Sequence, residues 1–242
     1  MMLKIIVSIT ILVAAYATPA TAQKKAARGL AEYYFKRGAS FYVGDNVARK
    51  QAIVNYTKSV AFDSSYYWSY RNRGYCYQNL GKYALALADY NRAIRLSKRA
   101  GDSEEGNLYP RCALVCTRLK KWAAAETYYS AFLNTPGYDS ANYRSAWRGR
   151  AEARSQLKKY ADARQDYLVY YRQLGSELLP QEKELADDRA RVAREGIPPG
   201  LSEEERASLL AGYLKREATI SQLKKEQVAI ADEIAKLEKL LR

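Results

Sequence analysis

A chain of 242 residues with 40 Lys and Arg against 26 Asp and Glu carries a formal net charge of +14, and its 48% hydrophobic content is that of a globular protein. It contains no histidine, which removes the commonest general base, neutral-pH proton switch and metal ligand. Its three cysteines, Cys76, Cys112 and Cys116, are too few for a four-ligand zinc site and odd in number, so no catalytic, metal or cofactor site is expected.

The first 22 residues read as an address. Lys4 gives a positive start, Ile5 to Ala17 is almost wholly apolar, and Pro19 leads to the small-residue triplet Ala20-Thr21-Ala22. The apolar run is well short of the roughly 20 residues that span a bilayer, so residues 1–22 read as a secretory signal peptide, with the mature chain starting at Gln23. No cysteine follows for a lipid anchor, and no later segment reads as membrane-spanning. Export to a periplasm or the exterior sets aside nucleic acid as the partner of the basic excess. Cys112 and Cys116, four apart on one helix face, suit packing better than a disulfide. A redox pair is the alternative, and it would need a lowered thiol pKa.

One phrase then recurs three times. Leu80-Gly81-Lys82-Tyr83-Ala84-Leu85-Ala86 leads to Tyr90, Leu119-Lys120-Lys121-Trp122-Ala123-Ala124-Ala125 to Tyr129, and Leu157-Lys158-Lys159-Tyr160-Ala161-Asp162-Ala163 to Tyr167. The period of 38 to 39 residues means stacked supersecondary units, none able to bury its apolar face alone. Ahead of each phrase a large aromatic is followed four residues later by a small one: Tyr70 and Gly74, Tyr109 and Ala113, Trp147 and Ala151. That pattern predicts a helix-turn-helix in which the small residue admits the second helix closely and the aromatics share one stripe.

This pattern resembles the tetratricopeptide repeat (TPR). The second unit matches at Tyr70, Gly74, Tyr77, Gly81, Tyr83, Ala86, Tyr90 and Ala93. In the third, Phe132 replaces a small residue, and in the fourth Arg154 stands where a large apolar residue is usual. A weaker first unit reads Tyr34, Gly38, Phe41, Ala52, Tyr56, with a longer turn around Val43 to Asn46. The resemblance implies an all-α, right-handed helical-repeat solenoid over residues 23–175. Its four units lie near 31–66, 67–100, 106–138 and 144–175. Ala100 to Asn107 is polar and reads as a loop before the third unit.

Residues 176–200 read as a polar capping helix, with Pro180 in its first turn, and a Gly196-Ile197-Pro198-Pro199-Gly200 linker. Ser202 with Glu205 opens a capping box, and a long amphipathic helix runs over 201–242. Heptads place Tyr213, Ile220, Gln227, Ile234 and Leu241 at one core position and Leu223, Ile230 and Leu237 at the other, with Arg216 interrupting. Two outcomes are open: homo-oligomerisation through 220–241 as a coiled coil, or folding back on the repeats. Charge divides at the same place, +15 over residues 23–175 and −2 over 176–242.

By resemblance, such arrays are protein-interaction scaffolds whose first helices line a concave groove. The family's groove positions fall on Phe35, Lys36 and Tyr42, then on Trp68, Arg71, Asn72, Tyr75 and Asn79, and then on Arg111, Arg118, Arg148 and Glu152. An arginine-bearing aromatic groove suits an acidic peptide or protein. The expected function is therefore a non-catalytic binding scaffold of a bacterial cell envelope, the bacterial assignment resting on the resemblance. A structural oligomer held by the C-terminal coiled coil and an acidic-glycan-binding envelope protein are the alternatives.

Overall fold

The computed structural model describes residues 19–102, 105–137, 140–196 and 200–242; the apolar part of the expected signal peptide lies outside them. The described residues form nine α-helices and no strand: α1 (Pro19–Ala39), α2 (Asn46–Phe62), α3 (Tyr67–Asn79), α4 (Tyr83–Arg99), α5 (Glu105–Arg118), α6 (Trp122–Leu133), α7 (Ser140–Gln156), α8 (Tyr160–Glu195) and α9 (Glu203–Leu240). Their contacts divide the chain between Leu119 and Lys120 into two compact bodies, α1–α5 and α6–α9. None of these helices is long and apolar enough to cross a membrane.

The repeated phrase has a backbone cause. Gly81, Lys120 and Lys158 are the second residues of its three copies, and all three are left-handed, with φ of 72°, 55° and 60°. At two of these turns the following N–H closes back on the preceding helix, Lys82 on Tyr77 O at 2.8 Å and Lys159 on Arg154 O at 2.9 Å. This is the helix-ending motif that favours glycine; the two lysines hold the same conformation without it. The turn between α1 and α2 is longer. It ends at Asp45, whose side chain accepts from Val47 N and Ala48 N.

The small residues mark close approaches between paired helices. A Cβ at Gly38 would sit 2.7 Å from the Tyr56 ring and one at Gly74 2.9 Å from the Tyr90 ring, and both tyrosines are fully buried. Gly149 gives the same room to Tyr129, a contact hidden in the sequence because Ala151 already fills the expected small position two residues on. Gly74→Leu should overpack the α3–α4 contact and destabilise the first body by about 1–3 kcal/mol. Thermal unfolding of the variant reads this, and a melt coincident with the parent's would mean the repeat register is wrong.

Buried charge joins the helices as well. Arg73 on α3 donates from Nε and Nη2 to Asp89 on α4, each at 2.8 Å, and from Nη1 to Thr57 Oγ1 on α2 at 3.1 Å. Arg150 on α7 repeats this with Asp166 on α8 at 2.8 and 2.8 Å and with Ser130 Oγ on α6 at 3.2 Å. Burial works against the Arg73 charge, but Asp89 outweighs it and raises the guanidinium pKa. Arg154, the residue standing in a usually apolar place, donates to Asp166 at 2.9 Å and to Glu126 at 3.0 Å. Burial alone would raise the Glu126 pKa; Lys159 and Arg154 together hold it below the usual carboxylate range. Phe132, the other departure, is buried and stacks on Tyr143 at 5.3 Å.

The C-terminal quarter differs from the sequence reading at one point and takes one of its two open outcomes at another. First, residues 176–195 are no separate cap: α8 runs unbroken from Tyr160 through Pro180 to Glu195. An interior proline costs a helix about 3 kcal/mol. The apolar stripe Tyr170, Leu174, Leu178 and Leu185, buried against α9, carries the helix through it. Second, the heptad seam is covered by the chain itself. Ile220, Leu223, Ile230 and Leu237 are buried against that stripe, and the ion pairs Arg164–Glu238, Lys224–Glu182 and Arg216–Asp188 set the two helices antiparallel. Arg216, which interrupts the heptad, also pairs with Glu184 at 3.1 Å. In the fold-back arrangement Ile220, Leu223, Ile230 and Leu237 of the seam are covered by α8, while Leu241 stays exposed. The C-terminal half of α9, not residues 176–195, covers the last repeat pair. Ser202 starts α9 with the expected capping box, its Oγ accepting from Glu205 N at 3.2 Å while the Glu205 carboxylate accepts from Ser202 N at 2.8 Å.

Candidate functional site

The first body brings together side chains from three successive first helices or the turns beside them. Tyr42, just past α1, stacks on Tyr75 of α3 with ring centres 4.6 Å apart. Arg111 of α5 places its guanidinium 4.8 Å from the Tyr75 ring centre. One turn earlier on α3, Arg71 lies 4.3 Å from the Trp68 ring centre and donates to Asn72 Oδ1 at 3.2 Å. Each guanidinium thus lies over an aromatic ring, a contact that holds the cation at this surface. The Tyr42 hydroxyl pKa is raised by burial, with Arg111 and Arg71 pulling the other way.

Other expected positions do different work. Phe35 packs on the buried cluster of Ala52, Tyr56 and Cys76 and meets Tyr66 edge-on at 5.4 Å. Asn72 is buried, its amide donating to the Tyr56 hydroxyl at 3.4 Å. These two support the surface from beneath. Asn79 is exposed and donates to the Tyr75 carbonyl of its own helix at 2.9 Å. Lys36 and Arg118 are exposed. Arg148 belongs to the second body, where it donates to Glu226 of α9 at 2.7 Å. The same Glu226 oxygen accepts from the Tyr170 hydroxyl at 2.5 Å, and burial, then Glu226, push that phenol up to about 12. Glu152 also lies in the second body, beside Tyr167 and α9 in a cleft of about 400 Å³. The acidic partner expected for Arg148 is thus supplied by the chain itself.

All three cysteines are buried, and none forms a disulfide among the described residues. Burial pushes the Cys76 thiol up to about 11 and the Cys112 thiol further in the same direction. Thiols so held are poor nucleophiles, the reverse of what the redox alternative required.

Residues 67–99, the second unit and the best match by sequence, fit the tetratricopeptide repeat family. No curated protein sequence matches the chain. Among solved structures, the chain is similar to the pilF protein of Pseudomonas aeruginosa, at 22% identity over 75% of this chain and 82% of that one, with a TM-score of 0.47. It is also similar to MamA of Desulfovibrio magneticus RS-1, at 12% identity over 85% and 97% with a TM-score of 0.47. A third likeness is to the first TPR of Spaghetti (RPAP3) bound to an HSP90 peptide, at 21% identity over 54% and 98% with a TM-score of 0.44.

Proposed function

We propose that this chain of tetratricopeptide-like repeats is an exported, non-catalytic scaffold that takes an acidic peptide or acidic protein surface on the face of α1, α3 and α5. The observation that carries the reading is the row Tyr42–Tyr75–Arg111 beside the Trp68–Arg71 stack. Arg111 meets the Tyr75 ring and the Tyr90 phenol. Two ring-backed guanidinium groups offer charge-assisted hydrogen bonds to carboxylates, and the rings between them offer apolar contact. The surroundings favour anions, because Lys and Arg outnumber Asp and Glu by seventeen to seven from Gln23 to Leu119.

A Glu- and Asp-rich peptide carrying one or two aromatic residues serves as the probe. Arg71→Ala with Arg111→Ala should weaken its binding by about 100-fold, since a hydrogen bond to a charged group contributes about 1.5–3 kcal/mol. Arg95→Ala with Arg99→Ala removes two exposed charges from α4 and should cost little, mainly through the association rate. Equal losses in the two variants would leave only a diffuse basic surface. The envelope address has its own check: the exported chain should begin at Gln23 by mass spectrometry, and an intact Met1 would overturn it.

A further inference from the structure

The second body ends its last helix pair in a definite way. An amphipathic helix, the C-terminal half of α9, lays Ile220, Leu223, Ile230 and Leu237 on the apolar face of that pair. Its carboxylates Glu226 and Glu238 meet the basic side chains Arg148 and Arg164. The first helix pair, α1 and α2, has a face turned away from α3 with the same chemistry. Arg28 and Phe35 on α1 reach Tyr66, and Ser59 on α2 meets Ser69 on α3; those sides point to the next repeat. Leu30 and Tyr33 lie on the opposite side of α1, at about 100° per residue, and are 45% and 55% exposed.

This outward face is continuous across both helices. Tyr33 meets Tyr34 edge-on at 5.2 Å, and Tyr34 stacks flat on Phe62 at 5.5 Å. Lys58 of α2 sits 5.4 Å from the Tyr34 ring centre, one turn from Val54 and one from Phe62, which are 55% and 42% exposed. The two helices that carry this face are strongly basic. From Pro19 to Phe62, Lys and Arg outnumber Asp and Glu by eight to two. Both acids are engaged, Glu32 by Arg28 and Asp45 as the cap of α2. Two such faces would repel each other across a two-fold axis, which argues against a second copy. An exposed apolar patch on a basic helix pair fits an amphipathic helix with acidic flanks.

We infer that the outward face of α1–α2 is a second docking site, taking an acidic amphipathic helix from a partner protein. It is separate from the Tyr42–Tyr75–Arg111 surface, so it stands or falls independently of it.

The probe is a helical peptide with leucines at i, i+3, i+4 and i+7 and glutamates elsewhere, tested against the full chain alongside a version with lysine in place of glutamate. The glutamate peptide should bind at least tenfold more tightly than the lysine peptide. Leu30→Glu with Tyr33→Glu, both exposed positions, should weaken it at least tenfold while leaving the melting temperature unchanged. Arg37→Glu, an exposed position of α1, with Lys58→Glu should cut the preference for the glutamate peptide several-fold. Arg71→Ala with Arg111→Ala should leave glutamate-peptide binding intact. Loss of binding in that last variant alone would assign the peptide to the other surface and overturn the inference. So would a full chain that is dimeric and becomes monomeric with Leu30→Glu, which would give the face to a second copy. Binding to a chain starting at Gln23 but not to one starting at Met1 would give it to the leader, with the same consequence.

Discussion

Asp166→Ala should lower the stability of the second body by about 3–5 kcal/mol, more than any other single change of a charged residue. Asp166 is 2% exposed and takes two hydrogen bonds from Arg150 and one from Arg154. Removing it leaves two guanidinium groups half-buried without their shared counter-charge. At several degrees of melting temperature per kcal/mol for a domain of this size, the shift should exceed about 10 °C. Asp89→Ala in the first body strands only Arg73 and should cost less. A loss of packing is separated from a loss of charge by two further variants. Asp166→Asn keeps the shape and should still be strongly destabilised. Arg150→Met with Asp166→Leu replaces the pair with apolar bulk and should recover much of the loss. An Asp166→Ala melt within about 0.5 kcal/mol of the parent would show that the network adds nothing to stability.

That network also shows what the sequence made legible and what it hid. The repeat period placed the helix pairs, because one chemical phrase is needed at each turn: a left-handed residue, an aromatic, then a small residue. Gly81, Lys120 and Lys158 confirm the phrase in backbone terms. The Arg73–Asp89 and Arg150–Asp166 clamps were equally periodic, each pair 16 residues apart, yet charged residues in a basic chain read as surface. Arg154 looked like a defect of the motif and is part of the clamp. The site was legible as a set of helix faces but not as contacts. The resemblance put Phe35, Tyr42, Asn72 and Tyr75 on one face; only the packing shows that Phe35 and Asn72 lie beneath it. Helix ends were hardest to read. Pro180 and the polar residues after Ser176 suggested a new helix, and the stripe that overrides the proline depends on α9, which arrives some forty residues later in the chain.

Ile230→Asp should be the most damaging substitution in α9. Ile230 is 3% exposed, within the cluster that includes Tyr170, Leu174 and Leu178. Truncation to alanine there should cost about 2–5 kcal/mol through lost burial and a residual cavity. An unpaired carboxylate in the same place should cost more, because nothing apolar can compensate its desolvation. Leu214→Ala, 66% exposed on the same helix, should stay within about 0.5 kcal/mol of the parent. Deleting residues 201–242 should expose the whole α8 stripe, so that the second body loses its cooperative transition while the first keeps its own. Sedimentation and calorimetry on the same samples decide between the two uses of the heptad seam. With the seam spent on α8, Ile230→Asp lowers the melting temperature and leaves the association state of the folded chain unchanged. An Ile230→Asp protein that melted with the parent but dissociated from an oligomer would give the seam to a second copy. The burial of Ile220, Leu223, Ile230 and Leu237 against their own chain predicts the first result.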